Sequence, residues 1–139
     1  MERKELEQLL REEYGVEPDY PWLDAPDYGV FRHNANRKWF ALIMTLPKNR
    51  LGLAGEGKID VVNLKVDPIL LGSVLYEPGF FPAYHMSKTH WVTAALDGSA
   101  DRERLLWLLD MSFEMTRPKG KRAAPFRVLY IKCERLGSR

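Results

Sequence analysis

Two of the three histidines, His85 and His90, fall within Pro78 to Trp91 (PGFFPAYHMSKTHW), beside Lys88 and the aromatic residues Phe80, Phe81, Tyr84 and Trp91. Such a set offers three chemistries: metal ligation, nucleophilic catalysis and non-covalent recognition. Metal ligation fits poorly, because a five-residue histidine spacing suits neither a helix face nor one side of a strand, and no H-E-x-x-H accompanies it. Ser87 near these histidines lacks the G-x-S-x-G elbow of a hydrolase. Cys133 has Lys132 and Arg135 beside it to lower its pKa, but no base close in sequence. As the single cysteine it excludes an intramolecular disulfide and a cysteine-rich metal site. The glycine-rich GLAGEG lacks the G-K-[ST] ending of a phosphate loop and precedes a strand, so a hairpin turn explains its glycines. The expectation is therefore no catalytic residue, no metal and no cofactor.

Recognition remains. Lys38, Trp39, Lys65, Tyr84, His85, Lys88, His90 and Trp91 combine cationic heads with flat aromatic faces. That mixture suits backbone phosphates with stacked bases. It also suits a protein partner, since tryptophan, tyrosine and arginine anchor interfaces. Core packing is the competing role for Trp39 and for Trp91. Charge adds a second candidate region. From Arg117 onward eight basic side chains, among them Lys119, Lys121, Arg122 and Arg127, face Glu134 alone, a net +7 within a chain whose total is +2. An anionic partner would meet that end; a solubilising tail is the other reading, although FRVLYIKC within it is apolar.

The elements that must hold these residues are legible from periodicity. Glu2 to Tyr14 reads as a helix with Leu6, Leu9, Leu10 and Tyr14 on one stripe, ended by Gly15. The Pro- and Asp-rich GVEPDYPWLDAPDYG reads as an irregular loop. Three strands follow: GVFRH, RKWFALIMTL and KIDVVNLKV. The second should place Trp39, Ala41 and Ile43 on one side and Phe40, Leu42 and Met44 on the other. Short connections make the three an antiparallel meander. Asp67-Pro68 starts a short helix, PILLGSVLY, and HWVTAALDG is a further strand. Asp101 caps RERLLWLLDMSFEMTR, whose Leu105, Leu106, Leu108, Leu109, Phe113 and Met115 form an apolar band, and Pro118 stops it. Helices on one face of a mainly antiparallel sheet give an α+β two-layer sandwich, ordered α-β(3)-α-β(1-2)-α with a C-terminal extension. A chain of 139 residues is long enough for one such core, so residues 1–118 are expected to form the domain and 119–139 a basic extension, with an added strand as the alternative there. No apolar run reaches membrane-spanning length and no signal peptide is evident, which reads as cytoplasmic.

Between Tyr20 and Thr116 three blocks resemble the MmcQ/YjbR family: the K-W-F-A strand, the N-L-K-x-D-P junction and P-A-Y-H-M-x-K-x-H-W. The resemblance implies a CyaY-like (frataxin-like) or secretion-chaperone-like α+β fold and the description DNA-binding protein, with no established catalytic residues. Its motif positions here are Lys38, Trp39, Asn63, Lys65, Asp67, Pro68, Pro82, Tyr84, His85, Met86, Lys88, His90 and Trp91. Frataxin-like folds also suggest iron and an acidic first helix, but Arg3, Lys4 and Arg11 interrupt the acids here. The expected function is non-enzymatic DNA binding, with phosphates met by Lys38, Lys65, Lys88 and the C-terminal cations, and with Tyr84, His90 and Trp91 stacking or positioning. The alternatives are an adaptor using the same face on another protein, and a small-ligand or metal binder centred on His85 and His90.

Overall fold

The computed structural model describes residues 1–118. The basic extension, with its expected strand and Lys119, Lys121, Arg122 and Arg127, lies outside the described residues. The elements are helix α1 (Arg3–Tyr14), strands β1 (Gly29–Arg32), β2 (Trp39–Pro47) and β3 (Lys58–Lys65), helix α2 (Pro68–Leu75), strands β4 (Phe80–Pro82) and β5 (Trp91–Ala95), and helix α3 (Arg102–Met115). A short 3-10 turn (Lys48–Leu51) leaves β2. The strands form one antiparallel sheet in the order β1-β2-β3-β5-β4, so the meander expected of the first three is present. The α+β two-layer order is the one the sequence implied.

Local chemistry sets the ends of the elements. Asp67 and Asp101 accept hydrogen bonds from the backbone N–H groups of Ile69 and Arg104, which satisfies donors that the first helical turn cannot pair internally. Gly15 ends α1 at φ +66°, a left-handed conformation open to glycine without a Cβ penalty. All four residues of the α1 stripe are buried, and each contributes roughly 1.5–3 kcal/mol relative to exposure. They pack with α3, with half-buried side chains of α2 and with one face of the sheet, a core that includes Phe31, Phe40, Ile43, Val62 and Leu64.

The opposite face is apolar as well. Val30, Leu42, Met44, Val61 and Ala95 form a second core, and none of the described helices covers it. Three irregular segments do so instead: Trp22 and Tyr28 from the loop before β1, Leu51 and Leu53 from the β2–β3 connection, and Tyr84 and Met86 from the loop after β4. Asp19 pins the first of these to β1, pairing through its backbone with Val30 and through its carboxylate with Arg32 and Arg37.

The faces of β2 differ from simple alternation. Phe31 pairs with Ala41 and Arg32 with Trp39, so Phe40 is an extra residue in a β-bulge. The bulge reverses the parity of the strand below it. Phe40 joins Ala41 and Ile43 in the helix-side core, whereas Trp39 joins Leu42 and Met44 on the other side. The β2–β3 ladder runs only as far as Ala41 opposite Leu64, and Ser112 of α3 fills the gap beyond it. Its hydroxyl donates to the Phe40 carbonyl at 2.6 Å and accepts from the Lys65 N–H at 2.9 Å. The buried stripe of α3 therefore includes Ser112, and Met115, expected in the band, is 42 % exposed.

Candidate binding cleft

The bulge and the three covering loops together produce a cleft of ≈ 700 Å³ on the loop-covered face. Its floor is Leu42 and Met44 of β2. Trp22 and Tyr28 from the first loop and Trp39 from the sheet bring aromatic rings to it, and Tyr84, His85, Met86 and Ser87 enter from the loop after β4. Asp24 and Arg50 add opposite charges. The volume lies within the range of small-molecule sites, and the mixture of aromatic walls with a few polar heads is typical of them.

The rings meet edge to face. Trp22 lies 5.7 Å from Trp39 at 81° and 6.1 Å from Tyr28 at 79°, arrangements favoured by the aromatic quadrupole. The Arg32 guanidinium lies 5.5 Å from the Trp39 ring centroid and fixes that ring further.

The second wall is held by a buried polar tie. Asn63 of β3 and Thr93 of β5 are cross-strand partners with no solvent exposure. The Thr93 hydroxyl donates to Asn63 Oδ1 at 2.5 Å, the Asn63 amide donates to the Tyr84 carbonyl at 2.8 Å, and the Tyr84 N–H donates to Thr93 Oγ1 at 3.0 Å. Both backbone groups of Tyr84 are thereby anchored to the sheet. The following residue, His85, adopts φ +66°, a conformation that a side-chain-bearing residue enters at a cost. Its ring lies 3.9 Å from that of Tyr84.

Arg50 Nη1 donates to the Tyr84 hydroxyl at 3.1 Å. The Tyr28 phenol is held above its ordinary value of 10.0, mainly by burial, reinforced by Tyr84 and opposed by Arg50.

The cleft gathers only part of the residues singled out from sequence. Trp39, Tyr84 and His85 line it; Lys38, Lys65, Lys88, His90 and Trp91 do not. Lys38 is exposed immediately before Trp39, and Lys88 is exposed immediately after Ser87. Lys65 and Trp91 are half-buried partners on β3 and β5, two residues along from Asn63 and Thr93 and on the same face. His90 is exposed, with Nδ1 within hydrogen-bonding distance of Thr89 and Ser87. The third histidine, His33, is buried on the helix side, where Nε2 donates to the Phe113 carbonyl. Among the described residues no three His, Cys, Asp or Glu side chains converge as a metal site would require. No described helix is long and apolar enough to cross a membrane.

Sequence reasoning missed Trp22, Tyr28, Asp24 and Arg50. The signal was present for the first two: a polar loop carrying Tyr20, Trp22 and Tyr28 holds more aromatic surface than solvent exposure favours. Arg50, in turn material, had none.

Comparison with known proteins follows the same architecture. A Bacillus subtilis (strain 168) relative, uncharacterized protein YyaQ, is 36% identical over 115 residues, covering 83% of this chain and 98% of its own. The crystal structure of a Pseudomonas syringae protein is similar at a TM-score of 0.82 and 43% identity, over 84% of this chain and all of that one. A Deinococcus radiodurans protein, described as a DUF419 domain, shares the fold at a TM-score of 0.63 and 23% identity, over 98% of this chain and 88% of its own. The YjbR family model matches residues 3–115, and the chain belongs to the YjbR family.

Proposed function

We propose that this protein binds single-stranded DNA without catalysis, seating an unstacked base in the aromatic cleft while lysines around it meet phosphates. One observation supports this above others: a ligand-sized cleft walled by Trp22, Tyr28, Trp39 and Tyr84, with the exposed Lys38 and Lys88 next in sequence to its lining residues Trp39 and Ser87. Aromatic faces accept any base, and stacking is worth about 1–3 kcal/mol per base. Among the described residues the ammonium groups of Lys38, Lys65 and Lys88 make no ion pair, so an incoming phosphate displaces no carboxylate.

Electrophoretic shifts on single-stranded and duplex DNA of random sequence test the proposal. The single strand should shift at lower protein concentration, with a log–log salt slope of about −0.7 per phosphate contacted. Lys38→Gln and Lys88→Gln should each reduce that slope. No shift of single strands at low salt would sink the idea.

A protein partner is the second reading. The aromatic and basic face suits one, and α2 adds a separate surface on which Ile69 is 87 % and Tyr76 is 92 % exposed. A stable, salt-insensitive complex or homodimer would favour it.

A further inference from the structure

Stacking and lysine contacts leave Arg50 unused. Each of the other seven described arginines is ion-paired to a carboxylate. Arg50 is the one described arginine without such a pair; it donates to the Tyr84 hydroxyl alone. It stands exposed on the 3-10 turn at the cleft wall, so its remaining N–H donors are open to a ligand. Because Tyr84 oxygen accepts from Arg50, the phenolic hydrogen of Tyr84 is free to be donated. Tyr28 lines the same cleft, and its phenol stays neutral and able to donate well beyond physiological pH. A guanidinium fork with two phenol donors and no resident carboxylate partner is an arrangement for an anion with several acceptor oxygens. The Trp22–Trp39 pair provides flat apolar surface in the same cavity. Asp24, also at the cleft, disfavours an anion on its own side and so restricts where one can sit.

We propose that the cleft is a one-nucleotide site, in which the base lies against the aromatic walls and its phosphate is held by Arg50 with the hydroxyls of Tyr84 and Tyr28. This rests on the nucleic-acid reading above and makes it specific. The recognised chemistry is a flat heterocycle bearing a phosphate, whether supplied by a strand or by a free nucleotide. Arg50 is then the residue that distinguishes a phosphorylated ligand from a bare base.

The intrinsic fluorescence of the full chain reports occupancy, because Trp22 and Trp39 line the cleft. Titrations use a short oligothymidylate, thymidine 5′-monophosphate and thymidine, against the natural chain, Arg50→Met and Arg50→Lys. The monophosphate should displace the oligonucleotide and bind at least about tenfold more tightly than thymidine, as expected for one charge-assisted, bidentate contact. Arg50→Met should erase that difference while leaving thymidine binding unchanged, and Arg50→Lys should restore only part of it. Circular dichroism confirms that the exposed turn tolerates both changes.

Equal competition by monophosphate and thymidine, or a preference that survives Arg50→Met, overturns the one-nucleotide site while DNA binding stands. Monophosphate binding without any oligonucleotide binding overturns the DNA reading and leaves a free-nucleotide site. Loss of all binding overturns both.

Discussion

Replacing Asn63 by leucine tests whether the cleft wall is built by the tie between β3, β5 and Tyr84. Leucine keeps the branched heavy-atom shape of asparagine, so it removes hydrogen bonds without opening a cavity. Two bonds disappear: the one Asn63 donates to the Tyr84 carbonyl and the one it accepts from Thr93. Each is worth about 1 kcal/mol net, and the Thr93 hydroxyl, fully buried, loses the acceptor for its hydrogen at a further 1–3 kcal/mol or so. The sum is about 3–5 kcal/mol, which for a domain of this size lowers Tm by roughly 10–20 °C. Thr93→Val is expected to cost a similar amount, since it strands Asn63 Oδ1 and the Tyr84 N–H together. The double variant has fewer stranded groups than the two singles combined. Its cost should therefore fall short of the sum by at least about 1 kcal/mol. Urea denaturation of the four proteins, with unchanged m-values, measures the cycle. A single-variant cost below about 1 kcal/mol, or additivity within about 0.5 kcal/mol, would refute the tie as an energetic unit.

Other perturbations probe other parts. Gly79 has φ +85° and an added Cβ would stand 2.5 Å from the Ala100 nitrogen, so Gly79→Ala should destabilise by about 3 kcal/mol, strain and overlap combined, in the same denaturation assay. Ser112→Ala strands the Phe40 carbonyl and the Lys65 N–H and should cost about 2–3 kcal/mol; a cost no greater than that of an exposed serine would remove the hydroxyl's bridging role. His85→Gly relieves the left-handed strain and should raise stability by about 1 kcal/mol while weakening oligonucleotide binding; the opposite pair of changes would deny His85 a part in recognition. In a spectrophotometric titration the Tyr28 phenol should ionise above its ordinary value of 10.0, and Tyr28→Phe should delete that late step.

Features governed by one or two adjacent residues were legible in the sequence. Asp67-Pro68, Asp101 and Gly15 mark helix ends because capping depends on local backbone donors and on φ, and each occupies the expected position. The stripe of α1 was legible because one period of 3.6 runs through it unbroken. The faces of β2 were not, because a single extra residue, Phe40, inverts the alternation, and only the pairing of β1 reveals where it sits. The cleft was half legible. Trp39, Tyr84 and His85 stand in recognisable motifs, whereas Trp22, Tyr28 and Arg50 come from aperiodic segments whose side chains converge only after the loops close over the sheet. Lys38, Lys65 and Lys88 were grouped by residue type, and none of them lines the cleft.

The bulge at Phe40 also makes β2 unequally tolerant of two kinds of genetic change. A substitution at Trp39 alters one wall of the cleft and leaves the helix-side core in place. Deletion of one codon from the turn between Arg32 and Lys38 would instead draw Phe40 opposite Arg32 and restore plain alternation, turning the indole toward α3 and Phe40 away from it. The cleft wall can thus diversify residue by residue, while the length of this hairpin must be inherited unchanged.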